Sequence, residues 1–226
     1  MDNNFEIMVD NLEKIDILVW GRYAIQRDIL YKKIKKEDYD DLILNANECG
    51  IEYAKKIMEE FNTNDPLEIC ENYNIKIIEG ETKPGTQKLL LASFTTPNKI
   101  FISTPPIAKA YKLLKGLNKS YYSKMALKDT ILSHELFHYV ENKYKKEIYT
   151  QTKKIVLWKI FGFKSTSNLR VLSEIAAMSF AKTLANVEFS PYMLDIIMLY
   201  PYDKKKALDL YKNIIKIKDE YENEKK

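Results

Sequence analysis

Apolar residues recur at helical spacing through the segment 38–62, DYDDLILNANECGIEYAKKIMEEFN, which predicts a long helix. The stripe that carries this spacing consists of Leu44, Ile51, Ala54 and Met58. A short helix should follow from Pro66 to Asn74, because Asp65 is a favourable helix cap and proline is favoured at the first helical position. The first forty residues mix helical and strand spacings, and their pattern assigns no element.

The middle of the chain changes to the alternating, β-branched pattern of strands. Residues 75–80, IKIIEG, predict one strand, and residues 81–87, ETKPGTQ, predict the turn after it. Residues 88–96, KLLLASFTT, and 99–104, KIFIST, are separated by a Pro-Asn pair and predict a hairpin or two adjacent strands. Together these segments predict a small antiparallel or mixed sheet.

The spacing is helical again from Pro105 onward. The strongest helix runs from about Ser123 to Lys145, and a polar segment follows it at 144–154. The other predicted helices lie at 105–117, 171–185, 190–200 and 203–226. Because the strands come first and the helices afterwards, the pattern predicts an α+β fold in which a small sheet precedes a helical bundle.

Length and composition fit a single domain with flanking segments. The chain has 226 residues, of which 46% are hydrophobic, and this is ample for one core. We expect an N-terminal extension (1–40), a main domain (41–200) and a C-terminal amphipathic helix (201–226) that packs on the same domain.

Charge and cysteine content narrow the classes of function. The net charge of +4 is spread along the chain, and lysines far outnumber the three arginines, so direct nucleic-acid binding is disfavoured. Cys49 and Cys70 are isolated and indicate reduced, packed thiols. The N-terminus lacks the pattern of a signal peptide, and the apolar run IDILVW is too short to span a membrane. We therefore expect a cytoplasmic protein.

His134, Glu135 and His138 form the pattern His-Glu-x-x-His within the strongest helix, and the chain has no other histidine. Residues four apart lie on one helix face, so both imidazoles can point at one ion, while Glu135 reaches the rim of the site without ligating. The side opposite the histidines consists of Met125, Leu132, Leu136 and Val140. Two histidine ligands beside a carboxylate are typical of zinc hydrolases, whereas a solvated His-Glu pair would belong to a charged helix.

The third ligand of such a site must be Asp, Glu or Cys, because a catalytic zinc takes three protein ligands and leaves one position open. Glu174 is the strongest candidate, since it is the one acidic residue in the apolar segment 171–185. Its helix face also carries Ala177, Met178, Ala181 and Ala185. The three alanines are small, so they let two helices approach closely. The alternative is an exposed glutamate near a helix start, where the helix dipole favours negative charge.

Three segments resemble the ImmA/IrrE metallopeptidases, within a stretch that covers roughly residues 60–190. The segment DPLEICENYNIKIIEG is similar to a short helix and strand of that family. The segments ILSHELFHYVE and SEIAAMSFAKTLA are similar to its H-E-x-x-H helix and to its downstream helix that bears a glutamate. The chain departs from the family pattern at Phe137, at Ala176–Met178 and in NVEFSP after the third segment, where Gly, Glu-Ala-Asn and Met-Pro are usual.

The resemblance implies a zincin-like helical bundle in which His134, His138 and Glu174 hold Zn²⁺ and Glu135 is the general base. It further implies an intracellular zinc-dependent endopeptidase that cleaves a protein regulator, such as a helix-turn-helix transcriptional repressor. The alternative is a non-catalytic, zinc-stabilised module for protein interaction, which would not need Glu135. A DNA-binding regulator is disfavoured because no basic recognition helix is present, and a structural zinc site would need a fourth ligand.

Two features of a peptidase stay open in the sequence. Stabilisation of the oxyanion would fall to a tyrosine, to Arg170 or to backbone, because no spare histidine exists. Tyr139 adjoins a ligand, but its side chain should point away from the metal face. The substrate would bind in an extended form along the strand at 88–96 or the strand at 99–104, unless both are plain core strands.

Overall fold

The computed structural model describes residues 3–81, 90–117, 119–160 and 163–225. Its N-terminal part is helical and consists of α1 (Asn3–Glu13), α2 (Ile17–Gln26), α3 (Tyr39–Phe61) and α4 (Pro66–Asn72). The helices α3 and α4 confirm the two that the sequence predicts at 38–62 and 66–74. Asp65 caps α4, because its carboxylate accepts a hydrogen bond of 2.8 Å from the backbone N–H of Leu67.

A three-stranded sheet follows these helices. Its strands are β1 (Lys76–Gly80), β2 (Ala92–Thr95) and β3 (Lys99–Ser103). The middle strand is β3, which runs parallel to β1 and antiparallel to β2. The predicted mixed sheet and the hairpin are confirmed, although β2 is shorter than the predicted segment 88–96. All of the predicted turn at 81–87 except Glu81 lies outside the described residues.

The rest of the chain is mainly helical, and together with the sheet it confirms an α+β fold. Its helices are α5 (Thr104–Leu114), α6 (Lys124–Lys143), α7 (Tyr149–Thr152), α8 (Arg170–Leu184), α9 (Leu194–Ile197) and α10 (Lys204–Glu224). Ser123 caps α6 by accepting a hydrogen bond of 2.8 Å from the backbone N–H of Ala126. None of the described helices combines the length and apolarity needed to cross a bilayer.

One antiparallel hairpin interrupts the helical part, and the sequence pattern does not predict it. It consists of β4 (Lys154–Ile160) and β5 (Phe163–Asn168), with an irregularity between Val156 and Trp158. Trp158 and Phe163 are 50% and 75% exposed. Such a hairpin lacks the alternation of buried apolar and exposed polar residues by which strands are recognised.

The first two helices, which the sequence pattern does not assign, lie in the main hydrophobic core. Their buried residues include Phe5, Met8, Val9, Leu12, Val19, Trp20 and Tyr23. The C-terminal helix α10 packs on α2, and the guanidinium carbon of Arg22 lies 4.4 Å from the centroid of the Tyr221 ring. The N-terminal and C-terminal segments therefore share one core with the chain between them.

Helix α3 packs directly on the backbone of α8 at Gly50. A Cβ atom at Gly50 would lie 2.1 Å from the carbonyl oxygen of Ala176 and 2.1 Å from Oγ of Ser179. That hydroxyl donates a hydrogen bond of 2.8 Å to the carbonyl oxygen of Asn47. Contact between the two backbones fixes the position of α8, and only glycine fits at residue 50.

Two details of the predicted helix faces are wrong. Leu44 is 47% exposed, because the buried side of α3 is shifted and consists of Leu42, Ile43, Ala46, Cys49, Gly50, Ala54 and Ile57. Met125 is 72% exposed, since it lies in the first turn of α6, where the neighbouring Ser123 and Lys124 are exposed too. The predicted packed thiols are confirmed, because Cys49 and Cys70 are free and buried.

Candidate metal centre

The two histidines lie one turn apart on the same face of α6. Their Nε2 atoms are 3.4 Å apart, and their ring planes are nearly perpendicular, at 80°. Leu132, Leu136 and Val140 hold the helix from its other side, and none of them has exposed surface. Because the apolar side is fixed in the core, the two imidazoles converge on one point next to the helix.

Glu174 on α8 faces the same point. Its Oε2 atom lies 3.5 Å from Nε2 of His134. The packing of α8 on α6 is close because Ala177 and Ala181 are small and fully buried. The ligand atoms of the two histidines and Glu174 all lie within 4.8 Å of one another, so the group can hold a metal ion.

Charge interactions within the group shift the pKa values of His134 and Glu174. Burial would lower the pKa of His134, but the hydrogen bond to Glu174 and the nearby carboxylates outweigh it and raise this pKa to about 8. Burial would raise the pKa of Glu174, but the hydrogen bond from His134 and the nearby cations lower this pKa to about 2. At neutral pH the metal-free protein therefore holds an imidazolium–carboxylate pair, and a metal must displace the imidazolium proton.

The second histidine is supported by a buried hydrogen-bond network. Oγ of Ser173 lies 3.3 Å from Nδ1 of His138 and donates a hydrogen bond of 2.8 Å to Oε2 of Glu141. The hydroxyl of Thr150 donates to the other oxygen of that carboxylate. Burial would raise the pKa of Glu141, but the interaction with His138 and the hydrogen bonds from Thr150, Gln151 and Ser173 outweigh it and lower this pKa. Partners of this kind fix the ring orientation of histidine ligands.

The sequence could have revealed only part of this network. Glu141 stands three residues after His138, so the sequence alone indicates an acidic side chain on the same helix face as this histidine. In the structure Glu141 is only 8% exposed. Ser173 directly precedes the ligand Glu174, but nothing in the spacing indicates that it reaches His138. Thr150 comes from α7, and its partner can be recognised only in the folded chain.

Glu135 is close to the group without belonging to it. It is only 9% exposed and lines two of the cavities that His134 lines, with volumes of about 110 Å³ and about 550 Å³. Residues of β2 form another part of both walls, Ala92 in the smaller cavity and Phe94 in the larger one. Glu135 and residues of β2 therefore line the same two cavities.

A third cavity, of about 490 Å³, borders His134 and Glu174 on the side of α2. Tyr23, Arg27 and Asp28 line it, so the N-terminal segment forms a wall beside the candidate metal centre. The sequence did not assign these residues to the site, because no motif links them to the ligands more than a hundred residues away.

The side chains near the ligands that could stabilise an oxyanion, and Tyr139 in the motif helix, have different surroundings. Arg170 lines both of the larger cavities. Tyr192 lines the cavity beside α2, and its hydroxyl is buried without a hydrogen-bond partner among the described residues. Tyr139 packs against Tyr73 with ring centroids 5.0 Å apart and ring planes tilted by 43°. It lines none of the three cavities around the candidate ligands, as its position in the helix predicts.

No family model matches the chain, and no curated protein or solved structure matches it either. The likeness to the ImmA/IrrE metallopeptidases therefore rests on the three segments and on the residues they carry.

Proposed function

We propose that this protein is a zinc-dependent endopeptidase of the ImmA/IrrE type that cleaves a protein regulator, such as a transcriptional repressor, in the cytoplasm. The convergence of His134, His138 and Glu174, with Glu135 beside them, carries this proposal. The same arrangement of two histidines, a third carboxylate ligand and a free carboxylate is found in zinc peptidases.

The donor set fits zinc in both chemistry and spacing. Two zinc–nitrogen bonds of about 2.0–2.1 Å in a tetrahedral site would hold the nitrogens about 3.3–3.4 Å apart. The Nε2 atoms are 3.4 Å apart, and Nε2 of His134 is 3.5 Å from Oε2 of Glu174. Among the described residues no further His, Cys, Asp or Glu joins the group, which supports a catalytic site over a closed structural one.

The chain's own residues would perform the acid–base steps. A bound zinc ion would supply a Lewis acid that makes water more acidic and polarises a peptide carbonyl. Glu135 would accept the proton of the attacking water and then transfer it to the departing amine. Its low exposure of 9% limits competing solvent around the carboxylate.

The arrangement of the strands favours one of the two expected substrate strands. Both edges of β3 are occupied, by β1 and β2, so β3 cannot pair with another chain. Among the described strands β2 pairs with β3 alone, and its residues line the cavities that contain Glu135. An extended substrate would add to the outer edge of β2 through backbone hydrogen bonds.

Cleavage of a repressor encoded by a neighbouring gene tests this proposal. The zinc-loaded protein should cut it, and Glu135→Gln should retain zinc while the rate falls by about 10²–10⁴-fold, because an amide cannot accept the proton. Glu147→Gln, which changes an exposed glutamate beyond the end of α6, is the matched control and should cut normally.

One result would contradict the proposed role of Glu135, and another would contradict the peptidase activity itself. Cleavage by Glu135→Gln at the normal rate would mean that another group acts as the base. Binding of the repressor without cleavage, together with full biological function of Glu135→Gln, would favour the non-catalytic interaction module.

A further inference from the structure

The cavity beside α2 contains two of the three arginines of the chain. Arg27 and Arg170 line it together with the ligands His134 and Glu174. The remaining arginine, Arg22, has a structural role, because it pairs with Asp40 and stacks on Tyr221 of α10. We call this space the arginine cavity; its volume of about 490 Å³ lies within the range of small-ligand sites, roughly 300–1,000 Å³.

The guanidinium of Arg27 is held in place through one of its nitrogens. Nη1 donates to the hydroxyl of Tyr23 at 2.7 Å and to Oδ2 of Asp195 at 2.6 Å. These two bonds use both hydrogens of Nη1. Within the described ranges Nη2 and Nε have no hydrogen-bond acceptor, so three of the five N–H donors of an oriented guanidinium are free.

Arg170 is an exposed cation without a structural partner. Its side chain has no hydrogen bond or ion pair in the described part of the chain. It lies in the first turn of α8, where the helix dipole disfavours positive charge, and one turn before Glu174. It lines both of the larger cavities together with His134 and Glu174, so it lies on the side of α8 that faces the candidate metal centre. No hydrogen bond or ion pair within the described part of the chain accounts for a cation in this place.

The acidic residues of the same wall are already satisfied inside the protein. Asp28 accepts hydrogen bonds from the backbone N–H groups of Leu30 and Val171, at 2.7 and 2.9 Å. Asp195 accepts hydrogen bonds from Arg27 and Tyr23. Apart from the hydroxyl of Tyr192, the unused hydrogen-bond donors of the arginine cavity are therefore guanidinium N–H groups, whose planar geometry matches a carboxylate.

We propose that the arginine cavity is a substrate subsite that binds the carboxylate of an aspartate or glutamate side chain at a fixed position near the scissile bond. Arg27 and Arg170 would bind this carboxylate, and Asp195 and Tyr23 would hold Arg27 in position. The proposal rests on the proposed peptidase function and assigns the substrate preference of that site to the N-terminal segment.

A defined mixture of synthetic peptides, in which each residue type occurs beside every other, tests the subsite. Mass spectrometry of products from the zinc-loaded protein should reveal cut sites with Asp or Glu at one constant position. Replacing that residue by its amide should lower kcat/KM by about 10- to 100-fold, the range expected for losing a hydrogen bond to a charged group. Arg27→Gln and Arg170→Gln should each reduce this preference, measured as the ratio of kcat/KM for the acidic peptide to kcat/KM for its amide counterpart.

Matched controls separate the subsite from general charge effects. Lys33→Gln and Lys182→Gln remove exposed positive charges near Arg27 and on α8, and the acidic preference should persist in both. Circular dichroism should verify that Arg27→Gln is folded, because this change removes the ion pair of Asp195. Arg27→Lys keeps the positive charge but loses the planar guanidinium with its paired N–H donors, so it should show an acidic preference between those of the unchanged protein and Arg27→Gln.

The outcomes distinguish the subsite from the peptidase activity. Cutting that depends on Glu135 but shows no acidic preference would overturn the subsite and leave the peptidase intact. If no peptide is cut, anisotropy of labelled alanine-based peptides with a single Glu or Gln, measured on zinc-loaded Glu135→Gln, decides the question. Tighter binding of the Glu peptide, lost in Arg27→Gln, would support the subsite, and equal binding would overturn it.

Discussion

Oδ2 of Asp28 accepts a hydrogen bond of 2.9 Å from the backbone N–H of Val171, although the two residues are 143 positions apart. Val171 is the second residue of α8, and Leu169 at the N-cap of this helix cannot supply a side-chain acceptor. The segment after α2 therefore provides the missing helix cap for the helix that carries Glu174.

Removal of this cap should destabilise the protein. We expect Asp28→Ala to lower the free energy of unfolding by about 1–2 kcal/mol, because a buried N–H at the start of α8 would lose its acceptor. Urea denaturation of the zinc-free protein measures the change. Asp38→Ala is the control, since Asp38 stands at the N-cap of α3 but makes no capping hydrogen bond. Equal losses for both variants would contradict the capping role.

Zinc content should depend on the three converging residues. Purified protein should carry about one zinc per chain, as catalytic sites with three protein ligands do. His134→Ala or His138→Ala should abolish binding, and Glu174→Ala should weaken it strongly, in elemental analysis after dialysis. Glu188→Ala, an exposed glutamate beyond α8, should keep the metal. Zinc retained in the double histidine variant would disprove the assignment.

The network around Glu141 should tune the affinity for zinc without forming the site. Glu141→Gln and Ser173→Ala should each weaken zinc binding by about 10- to 100-fold, because the ring of His138 would lose its orienting partners. Competition with a chromogenic chelator measures this loss. Glu52→Gln, on α3, is a control that should bind zinc normally. Unchanged affinity in both network variants would show that His138 is oriented by other groups.

Zinc affinity should increase with pH until His134 is deprotonated. The pKa of about 8 means that a proton occupies this ligand at neutral pH, so apparent affinity should increase up to pH 8 and then level off. In the zinc-free protein the raised pKa contributes stability below the unfolded value of about 6.5, and this contribution is lost as the pH rises through 8. A histidine NMR titration should give a midpoint near 8, and a midpoint below 6.5 would contradict the ion pair with Glu174.

Local spacing was sufficient to predict the metal group. His134 and His138 are related by one helical turn, and Glu174 is a single carboxylate in an apolar helix, so each can be identified without the fold. The helices α3, α4 and α6 and the small sheet were predictable for the same reason. Periodicity and turn residues specify them within short stretches of chain.

Features that depend on distant contacts could not be predicted. Helix α2 buries Val19, Trp20, Gly21, Tyr23 and Ile25. A helix buried on so many sides has no polar face to reveal its period. The pairing of Arg27 with Asp195 joins residues 168 positions apart, and no local pattern encodes it. The β4–β5 hairpin could not be predicted because it exposes apolar residues such as Trp158 and Phe163, so its sequence lacks the alternation of buried apolar and exposed polar positions.

The contact at Gly50 bears on how the candidate metal centre would gain and lose an ion. The α3 backbone contacts α8 at Ala176 and Ser179, which lie within two helical turns of Glu174. Helix α3 carries none of the candidate metal ligands, so its support of Glu174 does not depend on an ion. The coordination geometry is then preorganised in the empty protein instead of being assembled by the ion. We expect chelation to be reversible and to leave the far-ultraviolet circular dichroism spectrum unchanged, so that cellular zinc supply could switch the proposed activity without unfolding the chain.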